Sequence, residues 1–586
     1  MANEFFHLGV RFYQQGHYEK AIEYFRKALR LNPGLIHAYN YLGNAYQEVK
    51  QFDQAMASYA RAMEMCPSDP TAFMNAGIAC QNTARDDAAA VYFRKALAVA
   101  PHREQIYEYL GFTLMNQGKF EEALEVYRSL LQTNRSSVTA FIRIGSILKQ
   151  QGRQDKSEEY LRAARESQPD NIVPWQSFLA GMLYNPRHDM GAVFREHVKF
   201  AEKFAEPLAP RRDVFPNNRS KTRRLKIGYV SPDFKNHSVS YFIEPVLASH
   251  TREQYEIFCF SDVCDPDEVT SRIRGYADQW RDIAGLTDAA VHRLIRNDAI
   301  DVLVDLAGHT ARNRMLLFAR RPAPVQVTWI GYPATTGLSA MDYRIVDDYT
   351  DPPGTTEKYY TEKLLRIPGC SLCYLPDRES PLVGPLPARV SGHVTFGSFN
   401  HFAKVTPPVI ALWAEILGAV RDSRLVLKAN SLSDHRTQRY VGDAFLEAGI
   451  PGTRIKLLGW ETDKRRHLET YNRVDIALDT FPYHGTTTTC EALWMGVPVI
   501  TLAGDLYASR TGISLLSNAG LPELVARSSE EYVGKAIHLA GDLEKLESLR
   551  RGLREMMKQS PLTDAGRLVK NLEDSYRQMW ETWCKT

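Results

Sequence analysis

The sequence predicts an α-helical solenoid followed by two α/β halves, each built on a parallel sheet. Three observations lead to this fold class. Small residues recur at one fixed period through residues 1–171, short apolar runs alternate with helical segments from residue 223 onward, and a proline-rich stretch divides that alternation into two series. A chain of 586 residues has room for about three to four units of domain size.

The composition is that of a water-soluble protein able to bury large cores, with 44% apolar and 24% charged residues. A net charge of +3 is too small to indicate a nucleic-acid partner. No run of about 18 apolar residues occurs, so we expect no membrane partner. The N-terminus lacks the basic and apolar regions of a signal peptide. Because eight cysteines are spread over the whole length, we expect a reduced, cytoplasmic compartment.

The first 171 residues repeat with a period of 34. Twelve residues after each repeated glycine stands an alanine, or Ser157 in the fifth unit, and sixteen after it stands an aromatic residue, or Leu161 in the fifth. The glycines are Gly9, Gly43, Gly77, Gly111 and Gly145. This is the pattern of tetratricopeptide repeats, whose helix pairs stack into a superhelix with a concave face. We predict five repeats that hold a protein or peptide; the alternative is an array that only supports the chain or forms a homodimer.

Changes in composition place the other boundaries. Residues 172–222 are predicted as a helical joint and linker, because helical spacing gives way to a proline-containing segment at 207–216. Residues 223–374 and 394–560 are the two predicted halves, separated by the proline-rich linker 375–393. Residues 561–586 are predicted to form a clamp helix, since Leu568, Leu572 and Tyr576 share one stripe.

Short apolar runs between helical segments are predicted as strands of two doubly wound sheets. In the first half these runs are Leu225–Val230, Tyr255–Phe260, Val302–Leu306, Val325–Ile330 and Tyr343–Val346. In the second they are Val394–Phe399, Arg424–Lys428, Ile455–Leu458, Ile476–Leu478 and Val497–Leu502. Ligands bind at the carboxyl ends of such strands, so the two halves predict a shared cleft.

The stretch from Asp479 to Glu491 leads from a strand to a helix through one glycine and four threonines. The first N–H groups of a helix are unpaired and carry partial positive charge, which favours a phosphate. Thr486, Thr487 and Thr488 are therefore candidate phosphate-binding residues. Glu491, one turn into the helix, is a candidate acceptor for sugar hydroxyl groups. The alternative is an ordinary helix capped by a threonine.

Residues that suit chemistry follow other predicted strands. His237 lies on the polar loop after the first strand, where an imidazole has a suitable pKa for moving a hydroxyl proton. His309 and Thr310 end a later strand and are predicted to line the same cleft. In the second half, Lys404 follows the first strand and is placed to neutralise a departing diphosphate. Lys464 and His467 are three residues apart and are predicted to share one helix face.

No metal site is predicted. Cys370 and Cys373 form a single CxxC pair without further ligands at zinc spacing. Asp265 and Asp267 match the letters of a metal-binding DxD pair, but we interpret them as part of a solvated loop. Neither a Walker A loop nor a GxGxxG motif is present, which disfavours ATPase and dehydrogenase functions.

Together these residues resemble the O-GlcNAc transferase and SPINDLY family, glycosyltransferase family 41, along essentially the whole chain. The matching motifs are Ser231–Phe234 with His237, Arg321–Gln326, Trp329–Pro333, Phe399–Lys404 and Asp479–Thr488. The resemblance implies an α-solenoid of tetratricopeptide repeats followed by a GT-B α/β transferase with two Rossmann-like halves. It also implies inverting, metal-independent transfer of a sugar from a nucleotide donor to Ser or Thr of intracellular proteins, without a further cofactor.

The resemblance assigns roles to individual positions. His237 matches the active-site histidine, and Lys404 matches the lysine that stabilises the leaving diphosphate. The donor-binding positions are Asn400, His401, Thr462, Lys464, His467, Thr486, Thr487, Thr488 and Glu491.

The sequence also departs from the animal pattern. The positions of an asparagine ladder that binds the acceptor backbone carry His7, Tyr41, Asn75, Tyr109 and Arg143, so that mode of acceptor binding is not implied. Lys464 resembles the enzymes that use UDP-GlcNAc, which is the donor we favour. The threonine run up to Glu491 is closer to SPINDLY proteins that use GDP-fucose, which is the alternative. A second alternative is a tetratricopeptide scaffold whose transferase half binds nucleotide without turnover.

Overall fold

The structure is a computed structural model that describes residues 1–210 and 214–585. It contains two compact units. The first is Met1–Ile147 with Ser433–Thr437, and the second is Leu148–Leu432 with Gln438–Thr586.

The first unit is an array of antiparallel helix pairs, which confirms the predicted solenoid. Its helices are α1 Ala2–Gln14, α2 Tyr18–Leu31, α3 Ile36–Glu48, α4 Phe52–Met65, α5 Pro70–Asn82, α6 Asp86–Val99, α7 Glu104–Asn116, α8 Phe120–Thr133 and α9 Val138–Gln150, the last of which ends in the second unit. The repeated glycines leave room for the aromatic ring of their own repeat. A Cβ at Gly77 would lie 2.5 Å from the Phe93 ring, and one at Gly111 would lie 2.3 Å from the Tyr127 ring.

Three of the positions at which the resemblance places an asparagine ladder are engaged within the array. The Tyr109 ring stacks on Phe93 with centroids 5.4 Å apart. The Tyr41 ring lies 5.8 Å from that of Phe25. Arg143 forms an ion pair with Glu108 at 2.7 Å. These side chains therefore stabilise contacts between neighbouring repeats.

The second unit begins earlier than the predicted boundary after residue 171, at Leu148. It contains α10 (Gln154–Ser167), α11 (Ile172–Met182) and α12 (Met190–Phe200), and then the short helical segments Ala201–Ala205 and Glu206–Leu208. The second unit includes these helices because they pack against the C-terminal half. The Gln154 side chain, for example, donates a hydrogen bond to the Ala403 carbonyl. The predicted proline-containing break at 207–216 lies partly outside the described residues.

The N-terminal half is a parallel sheet in the order β3-β2-β1-β4-β5-β6-β7. Its strands are β1 Leu225–Ser231, β2 Tyr255–Ser261, β3 Gln279–Asp282, β4 Val302–Asp305, β5 Val325–Thr328, β6 Tyr343–Val346 and β7 Lys363–Arg366. Its helices are α13 Ser240–Ser249, α14 Glu268–Tyr276, α15 Asp288–Asp298 and α16 Met315–Ala319. The strand order reverses between β1 and β4, and such a switch point opens a crevice at the carboxyl edge.

The C-terminal half is a second parallel sheet, in the order β10-β9-β8-β11-β12-β13. The short helix α17 (Pro387–Ser391) precedes strands β8 Thr395–Ser398, β9 Arg424–Lys428, β10 Ile455–Leu458, β11 Ile476–Leu478, β12 Val499–Leu502 and β13 Val525–Ala526. The helices are α18 Pro407–Ala419, α19 His435–Glu447, α20 Lys464–Glu469, α21 Thr487–Trp494, α22 Thr511–Asn518, α23 Ser529–Gly541 and α24 Leu543–Lys558. Its switch point lies between β8 and β11.

The final helix α25 (Ala565–Cys584) follows the C-terminal half but packs on the N-terminal one. Leu572, Tyr576 and Trp580 are buried in the same core as Ile227 and Val304 of its sheet. The Tyr255 hydroxyl donates to the Glu573 carbonyl at 2.9 Å. The helix thus ties together the two halves that form the cleft.

Candidate active site

Four loops meet where the two sheets reverse their strand order. In the N-terminal half they follow β1 and β4, and in the C-terminal half they follow β8 and β11. Between the halves lies a cavity of about 400 Å³, within the usual size range of ligand pockets. The predicted residues that line it are His237, Thr310, Asn400, His401, Lys404, Thr486, Thr487 and Thr488. Most of the predicted site therefore converges on one cavity.

The turn before α21 is shaped by the buried carboxylate of Asp479. This carboxylate accepts hydrogen bonds from the Gly485 N–H at 2.8 Å and from the Thr501 hydroxyl at 2.8 Å. A Cβ at Gly485 would lie 2.5 Å from the Thr488 hydroxyl oxygen, so a larger residue would displace the turn. The Thr488 hydroxyl in turn donates to the Asn400 side-chain oxygen at 2.6 Å.

The threonine run opens α21 toward the cavity. Thr486 occupies the N-cap position, but its side chain makes no capping hydrogen bond. The alternative of an ordinary threonine cap is therefore wrong for Thr486. The helix start with Thr486, Thr487 and Thr488 faces the cavity and presents its N–H groups and partial positive charge there.

Lys404 holds a positive charge beside this helix start. Its ammonium group donates to the His484 carbonyl at 2.7 Å and lies 4.2 Å from the centre of the Tyr483 ring. Tyr483 stacks on Tyr184 with ring centroids 4.8 Å apart. Burial lowers the pKa of Lys404 to about 8, while the Asp479 carboxylate opposes that shift. The site thus keeps a partly desolvated cation, which interacts with an anion more strongly than a cation in water does.

His237 faces the cavity from the N-terminal half, with 45% of its side chain exposed. Its Nδ1 accepts a hydrogen bond from the Val239 N–H at 3.3 Å. The Asp233 carboxylate lies 3.6 Å from the same nitrogen. With Nδ1 accepting, the neutral imidazole carries its proton on Nε2.

The two residues predicted after β4 have different environments. Thr310 lines the cavity, whereas His309 is only 1% exposed. His309 Nε2 lies 2.7 Å from the Thr336 carbonyl, and its ring contacts those of His197 and Tyr332. Burial lowers the pKa of His309 to about 4, so this imidazole is neutral near pH 7. His309 supports the wall from inside the protein and is not among the residues that line the cavity.

A second cluster surrounds Glu491. This carboxylate is 3% exposed and pairs with the Lys464 ammonium, and it accepts from His467 Nε2 at 3.0 Å and from the Tyr471 hydroxyl at 3.2 Å. Burial alone raises its pKa, but the His467 hydrogen bond and the Lys464 charge lower the pKa of Glu491 to about 2. Lys464 and His467 do share one helix face. Glu491 is not among the residues that line the cavity, and its role in binding the donor stays a prediction.

The remaining donor-binding predictions lie at the edge of the site. Thr462 is exposed on the loop before α20, and Asp463 next to it caps that helix by accepting from the Arg466 N–H at 2.9 Å. His401 is exposed where it lines the cavity, and its Nδ1 accepts from the Ala403 N–H at 3.3 Å. The donor roles of Thr462 and His401 stay predictions.

Sequence reasoning did not assign roles to several residues of the site. Asp479 ended a predicted strand without a function, although a carboxylate before a glycine turn is a usable signal. Lys428 ends β9, and the rule that selected Lys404 would also have selected it. Tyr184 gave no signal, because its partner Tyr483 lies about 300 residues further along the chain.

Within residues 1–210 and 214–585 no three His, Cys, Asp or Glu side chains are grouped as a metal site. Asp267 of the DxD pair instead caps α14, accepting from the Thr270 N–H at 2.9 Å. Cys370 and Cys373 are buried free thiols, and burial raises the pKa of both. The absence of a metal requirement stays a prediction. Among the described helices none is long and apolar enough to cross a membrane.

Helical repeats followed by two facing Rossmann-like halves with the ligand cavity between them define a tetratricopeptide protein of GT-B architecture. The family model described as glycosyl transferase family 41 matches residues 172–374 and 387–572. The chain belongs to glycosyltransferase family 41. A second model, the C-terminal domain of cilia and flagella-associated protein 70, matches residues 6–206.

Relatives and solved structures agree with this assignment. The probable UDP-N-acetylglucosamine–peptide N-acetylglucosaminyltransferase SPINDLY of Solanum lycopersicum is 44% identical over 421 residues, which are 71% of this chain and 45% of that protein. The probable transferase SEC of Arabidopsis thaliana is 34% identical over 62% of this chain and 38% of its own length. The chain thus spans less than half of these relatives. A mutant O-GlcNAc transferase of Thermobaculum terrenum superposes with a TM-score of 0.82 at 37% identity, covering 88% of this chain and 98% of that one.

Proposed function

We propose that this protein transfers a sugar, with GlcNAc favoured, from a nucleotide-sugar to Ser or Thr hydroxyl groups of proteins, with inversion and without a metal. The observation that carries the proposal is the asymmetry of the cavity. Lys404 and the start of α21 lie on one wall and His237 lies on the other. A donor whose diphosphate rests on the first wall presents its anomeric carbon to the second.

The reaction is a single displacement. The acceptor oxygen forms a bond to the anomeric carbon while the bond from that carbon to the phosphate oxygen breaks, and the electron pair leaves with the diphosphate. The proton of the acceptor hydroxyl passes to an oxygen of the departing diphosphate. Fixed positive charge aimed at such a leaving group is usually the largest catalytic contribution. Lys404 and the N–H groups of α21 supply it. His237, with its proton on Nε2, orients the reactants from the opposite wall by donating a hydrogen bond.

Two points favour UDP-GlcNAc as the donor. Lys464 is present and is held by Glu491 at the nucleotide side, and the relatives carry names that specify a UDP-GlcNAc donor. GDP-fucose is the alternative on the same scaffold, because the threonine run resembles the SPINDLY sequences. We assign the acceptor to the protein class because the repeats form a superhelix suited to extended peptides.

The test uses the purified chain with each nucleotide and each donor. A ligand at 100 times its dissociation constant stabilises a protein by about 2.7 kcal/mol, enough to raise the melting temperature measurably. We expect UDP to stabilise more than GDP, and UDP-GlcNAc to modify Ser and Thr peptides, as detected by mass spectrometry. Transfer from GDP-fucose and not from UDP-GlcNAc would make GDP-fucose the donor. Binding of nucleotide without transfer from either donor would favour the scaffold alternative.

A further inference from the structure

Lys428 lies on the carboxyl edge of the C-terminal sheet, but the proposed mechanism gives it no role. It is the last residue of β9, which pairs with β8 on one side and β10 on the other. β8 leads to Lys404 and β10 leads to α20 with Lys464 and His467. A nucleotide whose diphosphate rests at α21 has its sugar toward the N-terminal half. Its base therefore extends along this edge, past the ends of β8 and β9.

The contacts of Lys428 fix the imidazole of His467. The Lys428 ammonium donates to His467 Nδ1 at 2.7 Å, and His467 Nε2 donates to Glu491 at 3.0 Å. With Nδ1 accepting from Lys428, the ring donates to Glu491 through Nε2. It stands edge-on to the Tyr471 ring, with centroids 5.8 Å apart. Removing Lys428 frees the ring to rotate or to change tautomer.

The ammonium group has hydrogen-bonding capacity to spare. It carries three N–H donors, and its side chain is 6% exposed. Among the described residues its recorded hydrogen-bond acceptor is His467, and the Phe399 ring lies 5.9 Å away. Burial lowers the pKa of Lys428 to about 8. Glu461 on the loop before α20 and Glu491 on α21 oppose this shift, and Lys464 at the start of α20 adds to it. Buried donors without acceptors are costly, so a ligand oxygen placed here gains a strong interaction.

The cluster is open at one point, because 18% of the His467 side chain is exposed. Uracil and guanine carry a carbonyl oxygen where cytosine and adenine carry an amino group. An ammonium group only donates hydrogen bonds, so it attracts the carbonyl and disfavours the amino group. The cluster therefore favours uracil and guanine, which carry a carbonyl oxygen at this position.

We propose that Lys428 reads the nucleobase of the donor, selecting uracil or guanine over cytosine and adenine, and that it aligns His467 for the same base. This inference rests on the proposed donor site. The carbonyl oxygen is the shared chemistry of UDP and GDP donors, so the inference does not depend on which sugar is transferred.

The test measures dissociation constants by calorimetry for two matched nucleotide pairs, UDP with CDP and GDP with ADP. We expect the wild-type protein to prefer the carbonyl member of its preferred pair by at least about 10-fold, since a hydrogen-bonding site rejects a mismatched group strongly. In Lys428→Met the preference falls toward one, and Lys428→Arg keeps part of it because arginine also only donates.

Controls separate recognition from folding. Lys456→Met removes an exposed lysine on the neighbouring β10 and is expected to change none of the four nucleotide affinities. Competition by pyrophosphate, which has no base, is expected to be equal in wild type and Lys428→Met. Replacing a buried charge by an apolar chain of similar length is often tolerated, and the melting temperature checks this.

An unchanged affinity ratio within the preferred pair in Lys428→Met, or equal wild-type affinity for all four nucleotides, overturns the inference, as does the absence of nucleotide binding. Base selection without any sugar transfer would leave the inference in place and refute the proposed function. Sugar transfer that depends neither on Lys428 nor on the base would support the proposed function and overturn the inference.

Discussion

The two halves share one topology but carry different side chains at their switch points. The N-terminal half offers His237, nearly half exposed, and keeps His309 buried and neutral. The C-terminal half brings Lys404 to the cavity and places Lys428 and Lys464 on the same sheet edge. Among the described residues that line the cavity, the lysine therefore comes from the C-terminal half.

The proposed function accounts for this difference through what each half would bind. An anion gains most from fixed cations and helix N–H groups in a partly desolvated site. An incoming hydroxyl is neutral and needs access and orientation rather than charge. The contrast predicts that substitutions in the C-terminal half affect the leaving group and the nucleotide, whereas those in the N-terminal half affect the acceptor step.

The strongest test of the contrast is Lys404→Ala. Removing one preorganised donor to a developing negative charge commonly lowers kcat by about 10²–10³-fold. We expect a loss of that size with the melting temperature little changed, because burial of the Lys404 ammonium is itself unfavourable. Steady-state transfer assays measure the first quantity and thermal denaturation measures the second. Near-normal turnover would remove Lys404 from the mechanism.

The next effect concerns stability. Glu491→Ala leaves Lys464 without its buried partner, and breaking a buried pair costs about 3–5 kcal/mol. We expect a loss near the lower end of this range, because Lys464 is 31% exposed. Glu469→Ala, which removes an exposed glutamate from α20, the helix that carries Lys464, is the matched control and should cost almost nothing. Equal denaturant midpoints for the two variants would show that the Glu491 cluster contributes little.

A smaller effect is expected from the N-terminal half. His237→Ala removes an orienting hydrogen bond, which is worth about 1 kcal/mol, and lowers kcat by roughly 5-fold. Nucleotide affinity should remain that of the wild type, because the diphosphate rests on the other wall. A large loss of UDP affinity in His237→Ala would break the proposed division between the halves.

The smallest effect is a dependence on pH. Burial lowers the pKa of Lys404 to about 8, and the charged form is the active one, so kcat/KM should fall as pH rises through about 8. A bound diphosphate stabilises the ammonium, so the corresponding fall in kcat should occur at higher pH. Lys428 has a similar pKa, and pH profiles of Lys428→Met isolate the contribution of Lys404. A flat alkaline profile in that variant would contradict the assignment.

Most of the strands were predictable from apolar runs, and β6, β9, β10 and β11 begin and end at the predicted residues. The edge strands β3, β7 and β13 were not predicted, because they are short or polar and are defined by pairing with a neighbour. The second compact unit begins at Leu148, before the predicted boundary after residue 171, because the second helix of the fifth repeat packs on residues that lie about 250 positions later. The end of the repeats at residue 171 stays a prediction.

In the site, the loops that follow strands identified His237, Lys404 and the threonine turn. The same logic placed His309 on the wall, although an aromatic cluster with His197 and Tyr332 holds it in the interior. It also gave no sign that three side chains from α20 and the following segment bind Glu491. The sequence pattern locates a loop. The neighbours of a side chain on that loop come from distant segments, so the pattern does not reveal them.

The sequence by itself determined the repeat array, the two doubly wound halves and the loops that carry the chemistry. These features depend on local periodicity and on the rule that parallel strands present their carboxyl ends together. Only the tertiary structure decided which polar groups are satisfied within the protein and which face the cavity. Burial and hydrogen bonding between distant segments set the charge of Lys404, the orientation of His467 and the occupation of Glu491, and these are properties of packing.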